Sequence, residues 1–556
     1  MSKDLLKAIP FAVGLIGIAL FVGLPSGCGD QINQTDAPPH SSDIPRAELP
    51  PKIEKAGGPA KQASATTPHT KPAPPTVKPL LKGWEKPAAT LIFSGEQHGY
   101  MEPCGCSATQ SGGLSRRGDL IRQLTEKGWP FAGFDLGDLV KKDNQQNKIK
   151  YQVMLTALKD LGYKAMGLGP EELALERLEP GFLVTQGPGP GADPNQDGLG
   201  FVNANVEFTL FKDPGLRPAQ IAKVVTINGH RIGVTAIFGK TLVAALFGDA
   251  GDPQIKVNDP AKSLPAAIAE LKKQKAEVLV LLSHAEKSES VELAKKFPEF
   301  QLVATARGPE DGEDNFEPVG KSLLVIVGAK GKHVAVVGYY PDDKARPFRY
   351  ELVDLDKERF HDTPKMIDRM REYQHILTGS YDAILKDFAQ PQHPSGDTFA
   401  GVETCKDCHT KAYEIWKDSK HAHAYESLIT GREGAKNVVP RNHDPECINC
   451  HTTGWDPQGD FPYVSGFYSL EKTPKLKDQQ CENCHGPAAK HVALELAWKK
   501  DPKAVNKADL DAARKRAVLK VAEVERTVCD KCHDYENDPN FNFAKYWPEI
   551  EHKGKD

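Results

Sequence analysis

Four Cys-x-x-Cys-His sequences lie in the last third of this chain: Cys405, Cys408 and His409; Cys447, Cys450 and His451; Cys481, Cys484 and His485; Cys529, Cys532 and His533. Two thiols at that spacing can add to the two vinyl groups of one haem, and the imidazole that follows reaches the iron as its proximal axial ligand. Paired cysteines also build zinc sites, but zinc does not need a His directly after every second Cys. The motifs therefore predict four covalently attached haems c. All six Met residues lie at or before Met370, which removes methionine as a sixth ligand within this region. His421, His423, His443, His491 and His552 remain as candidate distal ligands, so bis-histidine iron and a low range of potential are expected for most of the haems. Trp416, Trp455, Tyr463, Phe467, Tyr468 and Trp547 are candidates to line haem faces or to serve as ordinary core aromatics.

Attachment of this kind takes place outside the cytoplasm, and the N-terminus reads accordingly. Lys3 and Lys7 precede an uncharged stretch from Ala8 to Gly29. Leu24-Pro25-Ser26-Gly27-Cys28 resembles a bacterial lipoprotein box, with Cys28 as the lipidated residue and Pro25 as a departure. A lipoprotein signal is the leading reading, beside an uncleaved membrane helix and a plain signal peptide. All three place the rest of the chain on the periplasmic or cell-surface side. A formal net charge of -4 gives no support for nucleic acid as a partner.

The elements that would carry these groups divide the chain into five parts. Residues 1–28 are the export signal, and residues 29–88 are a Pro/Ala/Lys-rich linker without apolar periodicity. Residues 89–355 alternate short apolar runs with amphipathic stretches, the pattern of an α/β layered sandwich. Strands are expected at 90–93, 131–135, 232–237, 278–282, 323–327 and 334–339, and helices at 115–127, 151–161 and 265–275. Residues 356–398 form a helical connector, with the helix itself at 358–388. Residues 399–556 form a mainly α-helical, haem-packed domain of modest apolar content, which the chain without haem should fail to fold.

The C-terminal part resembles the tetrahaem cytochromes c that accept electrons in ammonia-oxidising bacteria. The resemblance rests on the four haem motifs and on Trp416-x-x-Ser419-x-His421-Ala422-His423-Ala424, Pro445-Glu446-Cys447, Cys484-His485-Gly486-Pro487 followed by His491, and Tyr546-Trp547-Pro548 followed by His552. It implies that His421, His491 and His552 are the distal ligands of three haems. It also implies one haem with an open sixth position, corresponding to His451. His423 and His443 depart from the pattern, and either could close that site.

The middle domain resembles the metallophosphoesterase half of exported 5′-nucleotidases. Glu96-Gln97-His98-Gly99 stands for the opening motif, with Glu for the usual Asp; Gly137-Asp138 and Ser283-His284 match two later pieces. The resemblance makes Glu96, His98, Asp138 and His284 a residual site for one divalent metal. Two motifs are broken: Gly169-Pro170-Glu171-Glu172 replaces Gly-Asn-His-Asp/Glu, and the stretch from Ala304 to Pro309 has no imidazole where Gly-His-x-His is expected. A two-metal hydrolase holds its ions about 3.5 to 4 Å apart to clamp the attacking and leaving oxygens, so these losses argue against normal phosphoester hydrolysis. Glu171 and Glu172 are candidate replacement ligands.

Cys104 and Cys106 are left over, as a redox-active thiol pair, soft ligands beside His98, a strained disulfide, or loop cysteines without a role. Gly112, Gly113, Arg116 and Arg117 could meet an anion at a helix start, but a plain loop and helix surface is the leading reading. The leading expectation is a membrane-tethered, exported electron-transfer protein working between redox donor and acceptor proteins. The alternatives are a haem enzyme acting on a small nitrogen-oxide type substrate at an open iron, and a metal-dependent phosphoesterase or nucleotide-binding protein with an attached redox domain.

Overall fold

The computed structural model describes residues 78–103, 110–187, 198–211, 213, 217–431 and 437–554, which belong to one compact unit, Pro75–Asp556. Cys28, the rest of the N-terminal signal, and Cys104 with Cys106 lie outside the described residues. Among the described residues no helix is long and apolar enough to cross a membrane.

The first half of the α/β domain runs β1 (Ala89–Ser94), α1 (Leu114–Glu126), β2 (Phe131–Asp135), α2 (Gln145–Asp160), β3 (Tyr163–Met166), α3 (Pro170–Leu178), α4 (Phe182–Gln186), β4 (Gly200–Phe201) and β5 (Val206–Phe208). It continues through β6 (Lys223–Ile227), β7 (His230–Phe238), α5 (Lys240–Phe247), β8 (Ile255–Val257), α6 (Pro260–Lys273), β9 (Val278–His284), α7 (Lys287–Lys296) and β10 (Leu302–Thr305). Then come β11 (Glu317–Val319), β12 (Ser322–Ile326), β13 (His333–Tyr339), β14 (Phe348–Asp354) and the long helix α8 (Pro364–Asp387).

These strands form two six-stranded sheets, ordered β14-β13-β1-β2-β3-β4 and β11-β12-β10-β9-β7-β6. β1 to β4 are mutually parallel, as are β7, β9, β10 and β12, with antiparallel strands at the margins. Every residue of β1 is buried, because the strand is covered on both faces. Leu91, Phe93 and Phe134 point between the sheets and share a core with Val234, Val280 and Leu282. Ile92 points the other way, among Leu120 and Leu124 of α1, residues of α2 and Met366 and Leu377 of α8. α6 and α7 cover the outer face of the second sheet. The result is the α/β layered sandwich expected from sequence, with helices outside both sheets.

Packing starts earlier than the expected linker end. Leu81 is buried, and its N–H donates to Glu351 Oε2 at 3.0 Å. Three helices also begin at other points than expected. α2 starts at Gln145, capped by Asn144; α6 starts at Pro260 after the Asp259 cap; and α8 starts at Pro364.

Beyond α8 the chain forms short helices: α9 (Thr410–Lys417), α10 (Ala424–Thr430), α11 (Pro445–His451), α12 (Cys481–His485), α13 (Ala489–Lys500), α14 (Lys507–Arg516), α15 (Val521–Thr527) and α16 (Phe543–Tyr546). Its apolar cluster is small, built on Phe399, Tyr425, Leu428, Ile448, Trp455, Phe467 and Leu476 against Tyr381 and Leu385 of α8. No residue of α9, α13 or α16 is buried by protein alone. Helices this short do not hold themselves in water, so their stability must come from what they pack on.

Candidate functional site: a haem domain docked on a cation site

The carboxyl ends of β1, β2 and β9 converge: Glu96 and Asp138 lie in the loops after β1 and β2, and His284 is the last residue of β9. Their oxygen and nitrogen donors lie within 4.8 Å of one another, and all three residues are buried. His284 Nδ1 donates to the Leu136 carbonyl at 2.9 Å, which turns Nε2 toward Asp138 Oδ2 at 3.3 Å. That Nε2 is buried without a hydrogen-bond partner. Burial works against both charges, but the Asp138 carboxylate lifts His284 up to about 9, and His284 in turn holds Asp138 well below the usual carboxylate range. His98 faces the same charges; burial leaves its imidazole below the ordinary value. Glu96, His98, Asp138 and Arg307 all adopt left-handed backbone, with φ of 47°, 47°, 61° and 56°. Strain of this sort gathers at functional sites.

A mixed N/O donor set of this size fits one divalent transition-metal ion. It does not fit two. Gly169 and Pro170 offer no ligand, and Glu172 has its carboxylate taken by three backbone N–H groups, those of Asp138 and Gly169 at 2.8 Å and of Leu139 at 3.1 Å. The Glu172 expectation is thereby corrected: this residue ties the loop after β2, at Asp138 and Leu139, to the start of its own helix α3 at Gly169. Burial, with Asp138 beside it, pushes the Glu171 carboxyl up to about 10. Arg307 stands where the missing imidazoles were sought, and its N–H donates to Glu96 Oε2 at 2.9 Å. The anion expectation at the start of α1 also changes: Arg117 is buried and donates inward to Ser94 Oγ and Tyr163 Oη, while Arg116 Nη1 donates to the Gln110 and Leu355 carbonyls.

In the C-terminal domain none of the eight motif cysteines is joined in a disulfide. Three of the proximal imidazoles face a second His: His409 and His491 with ring centres 6.5 Å apart, His533 and His421 at 6.2 Å, His485 and His552 at 5.8 Å. An ion held roughly 2 Å from each of two imidazole nitrogens separates the ring centres by ~6 Å. The Nδ1 atoms of His451, His485 and His552 donate to the carbonyls of Ala424 (2.6 Å), Ala517 (2.6 Å) and Ile550 (3.0 Å), and His533 Nδ1 lies 2.9 Å from Asp538 Oδ2. Such outer bonds leave Nε2 as the free ligand atom. Burial keeps the imidazoles of His421 (lowered to about 4), His451, His485 and His491 in the neutral form that binds metal. The residues therefore fit haem iron.

His451 makes no comparable ring pair among the described residues. His423 is exposed, 3.9 Å from Glu426, and His443 packs edge-on against Tyr381 at 5.2 Å. Trp416 and Trp455 use their indole N–H groups on the carbonyls of Gln479 (2.7 Å) and Phe467 (2.9 Å).

Sequence reasoning missed the contacts between the two domains. Asp444 caps α11 and also accepts from Gln146 of α2 and Gln374 of α8, each at 2.8 Å. Lys150 of α2 pairs with Glu446 at 2.6 Å, and Arg441 pairs with Glu102. Glu536, three residues past His533, accepts from Tyr100 Oη and Lys330 Nζ, both at 2.6 Å. The Lys330 N–H also donates to the Glu96 carbonyl at 2.7 Å, so the cation-site loop reaches the haem domain directly through Tyr100 and a second time through Lys330.

Residues 404–486 match the family model for cytochrome c554 and c-prime. Residues 404–486 are thus a domain of the cytochrome c554 kind, a match that supports haem c as its cofactor and an electron-transfer role. Cytochrome c-554 of Nitrosomonas europaea is 29% identical over 195 residues, covering 32% of this chain and 78% of that protein. The solved reduced cytochrome c554 from Nitrosomonas europaea is 24% identical with a TM-score of 0.19, covering 29% of this chain and 81% of that one. A 5′-nucleotidase precursor from Thermus thermophilus is 20% identical with a TM-score of 0.43. That match covers 55% of this chain and 61% of that one, so the chain spans less than two thirds of the nucleotidase.

Proposed function

We propose that this chain is an exported, membrane-tethered tetrahaem c-type cytochrome that passes electrons between redox donor and acceptor proteins. The observation that carries this reading is the set of three facing imidazole pairs, His409–His491, His533–His421 and His485–His552, with ring centres 5.8 to 6.5 Å apart. Bound haem supplies reversible one-electron chemistry. The protein's part is to hold each imidazole neutral and oriented, through burial and the Nδ1 bonds, and to shield the irons from water.

The unpaired His451 favours a second role at the same domain, binding of a small nitrogen-oxide type ligand opposite that imidazole. The α/β domain is read as a former two-metal phosphoesterase that retains one divalent-cation site and no hydrolysis. Export and the tether follow from the N-terminal signal and from Cys28.

The test is a visible spectrum of the haem-loaded protein, oxidised and reduced, with and without carbon monoxide. Four haems per chain by mass, three low-spin and one responding to carbon monoxide, is the expected result. Four low-spin haems that ignore carbon monoxide would remove the ligand-binding role and leave the carrier; fewer than four haems would overturn the tetrahaem reading.

A further inference from the structure

We propose that the α/β domain builds the environment of the haem attached at Cys447 and Cys450, with Lys150 as the residue that positions this haem's helix and sets its potential. The inference rests on haem attachment at that motif, and not on whether its sixth position is open.

Four of the cross-domain contacts converge on the few residues before Cys447. Gln146 of α2 and Gln374 of α8 donate to the two oxygens of Asp444, the cap of α11. Glu102 pairs with Arg441, and Lys150 Nζ lies 2.6 Å from both oxygens of Glu446, the residue next to Cys447. The Lys150 side chain is 4% exposed whereas Glu446 is 48% exposed, so water screens the anion far more than the cation. Burial disfavours the Lys150 ammonium, but Glu446 and Asp444 outweigh it and keep the charge in place. Lys150 Nζ also stands 5.7 Å from the Tyr373 ring, and a Cβ on Gly99 would come within 3.3 Å of it. The cation is therefore wedged between the loop that carries His98 and the helix that carries the haem cysteines. A screened anion and an unscreened cation beside a haem leave a net positive field there, which favours the reduced iron. The remaining haem motifs have no such buried α/β cation among the described contacts; Lys330 reaches Glu536, past His533, from a more exposed position.

Redox titration of the haem-loaded full chain, followed by optical and electron paramagnetic resonance spectra, tests this. Lys150→Met should lower one of the four midpoints by about 59 mV, a tenfold change in the one-electron equilibrium, and Lys150→Arg should restore it. Glu446→Gln, at a half-exposed position, should raise the same midpoint and keeps the test open if Lys150→Met does not fold. Opposite shifts on a single component are the expected result. Unchanged midpoints with only a lower melting temperature, or shifts of the same sign, would overturn the proposal. Loss of the carbon monoxide response in the parent protein bears on the ligand-binding role alone, because the two variants still identify their haem by moving one component in opposite directions.

Discussion

Asp138 and His284 leave no room for a side chain at Gly169: a Cβ there would lie 2.3 Å from Asp138 Oδ1 and 2.8 Å from His284 Cε1. Gly169→Ala is expected to lower stability by about 1–3 kcal/mol, as overpacking in a tight interior does, and to abolish binding of one divalent ion per chain. Thermal melting and calorimetric titration with zinc or manganese check both, and unchanged ion binding would remove the cation site. At this scale the sequence was informative wherever chemistry depends on local spacing. The Cys-x-x-Cys-His runs needed nothing else, and Glu96, His98, Asp138 and His284 came from short motifs. Which His faces which was not readable, since His421 meets His533 across more than a hundred residues of chain. Nor was the job of Glu172, because two of its three partners are backbone N–H groups in the loop after β2, far from it in sequence.

Helix α8 joins the domains, and its start is fixed by Asp160 at the end of α2, which pairs with Lys365 at 2.9 Å and Arg369 at 2.8 Å. Burial raises the Asp160 carboxyl, but the bonds from Lys365 and Arg369 outweigh it and leave it below its ordinary value of 3.8. As pH falls the unfolded chain takes up this proton first. The contribution is therefore complete above about pH 4 and is lost below it, toward the lower folded value. Asp160→Asn should cost about 1 kcal/mol at pH 7, the scale of a partly exposed pair, and nothing once pH is well below the carboxylate range; denaturant melts at both values check this. Core strands such as β2 and β9 were readable as apolar runs. β3, β4, β5 and β8 were not, being two to four residues long. The start of α6 was misjudged because Pro265, which lies inside the helix, read as its first turn, while the Asp259-Pro260 cap signal is the one that operates.

The whole molecule divides its stability unevenly. The α/β domain has three large apolar clusters, while the cytochrome domain has one small cluster shared with α8. Chain made without haem attachment should keep a protease-resistant core over residues 81–387 and be cut freely beyond it; limited proteolysis with mass analysis checks this, and equal resistance of the C-terminal part would show that it folds without haem. The contacts between the α/β part and the haem-motif part were not readable, since facing partners such as Gln146 and Asp444 have no sequence pattern in common.

Asp444 is 4% exposed and holds one bond to α2 and another to α8. Pulling the domains apart would break both bonds together with the Lys150–Glu446 and Arg441–Glu102 pairs. The halves cannot swing freely on their connector. On the proposed carrier reading, the haem at Cys447 then keeps one fixed set of α/β neighbours, Gln146, Lys150 and Gln374, through every encounter with a redox partner.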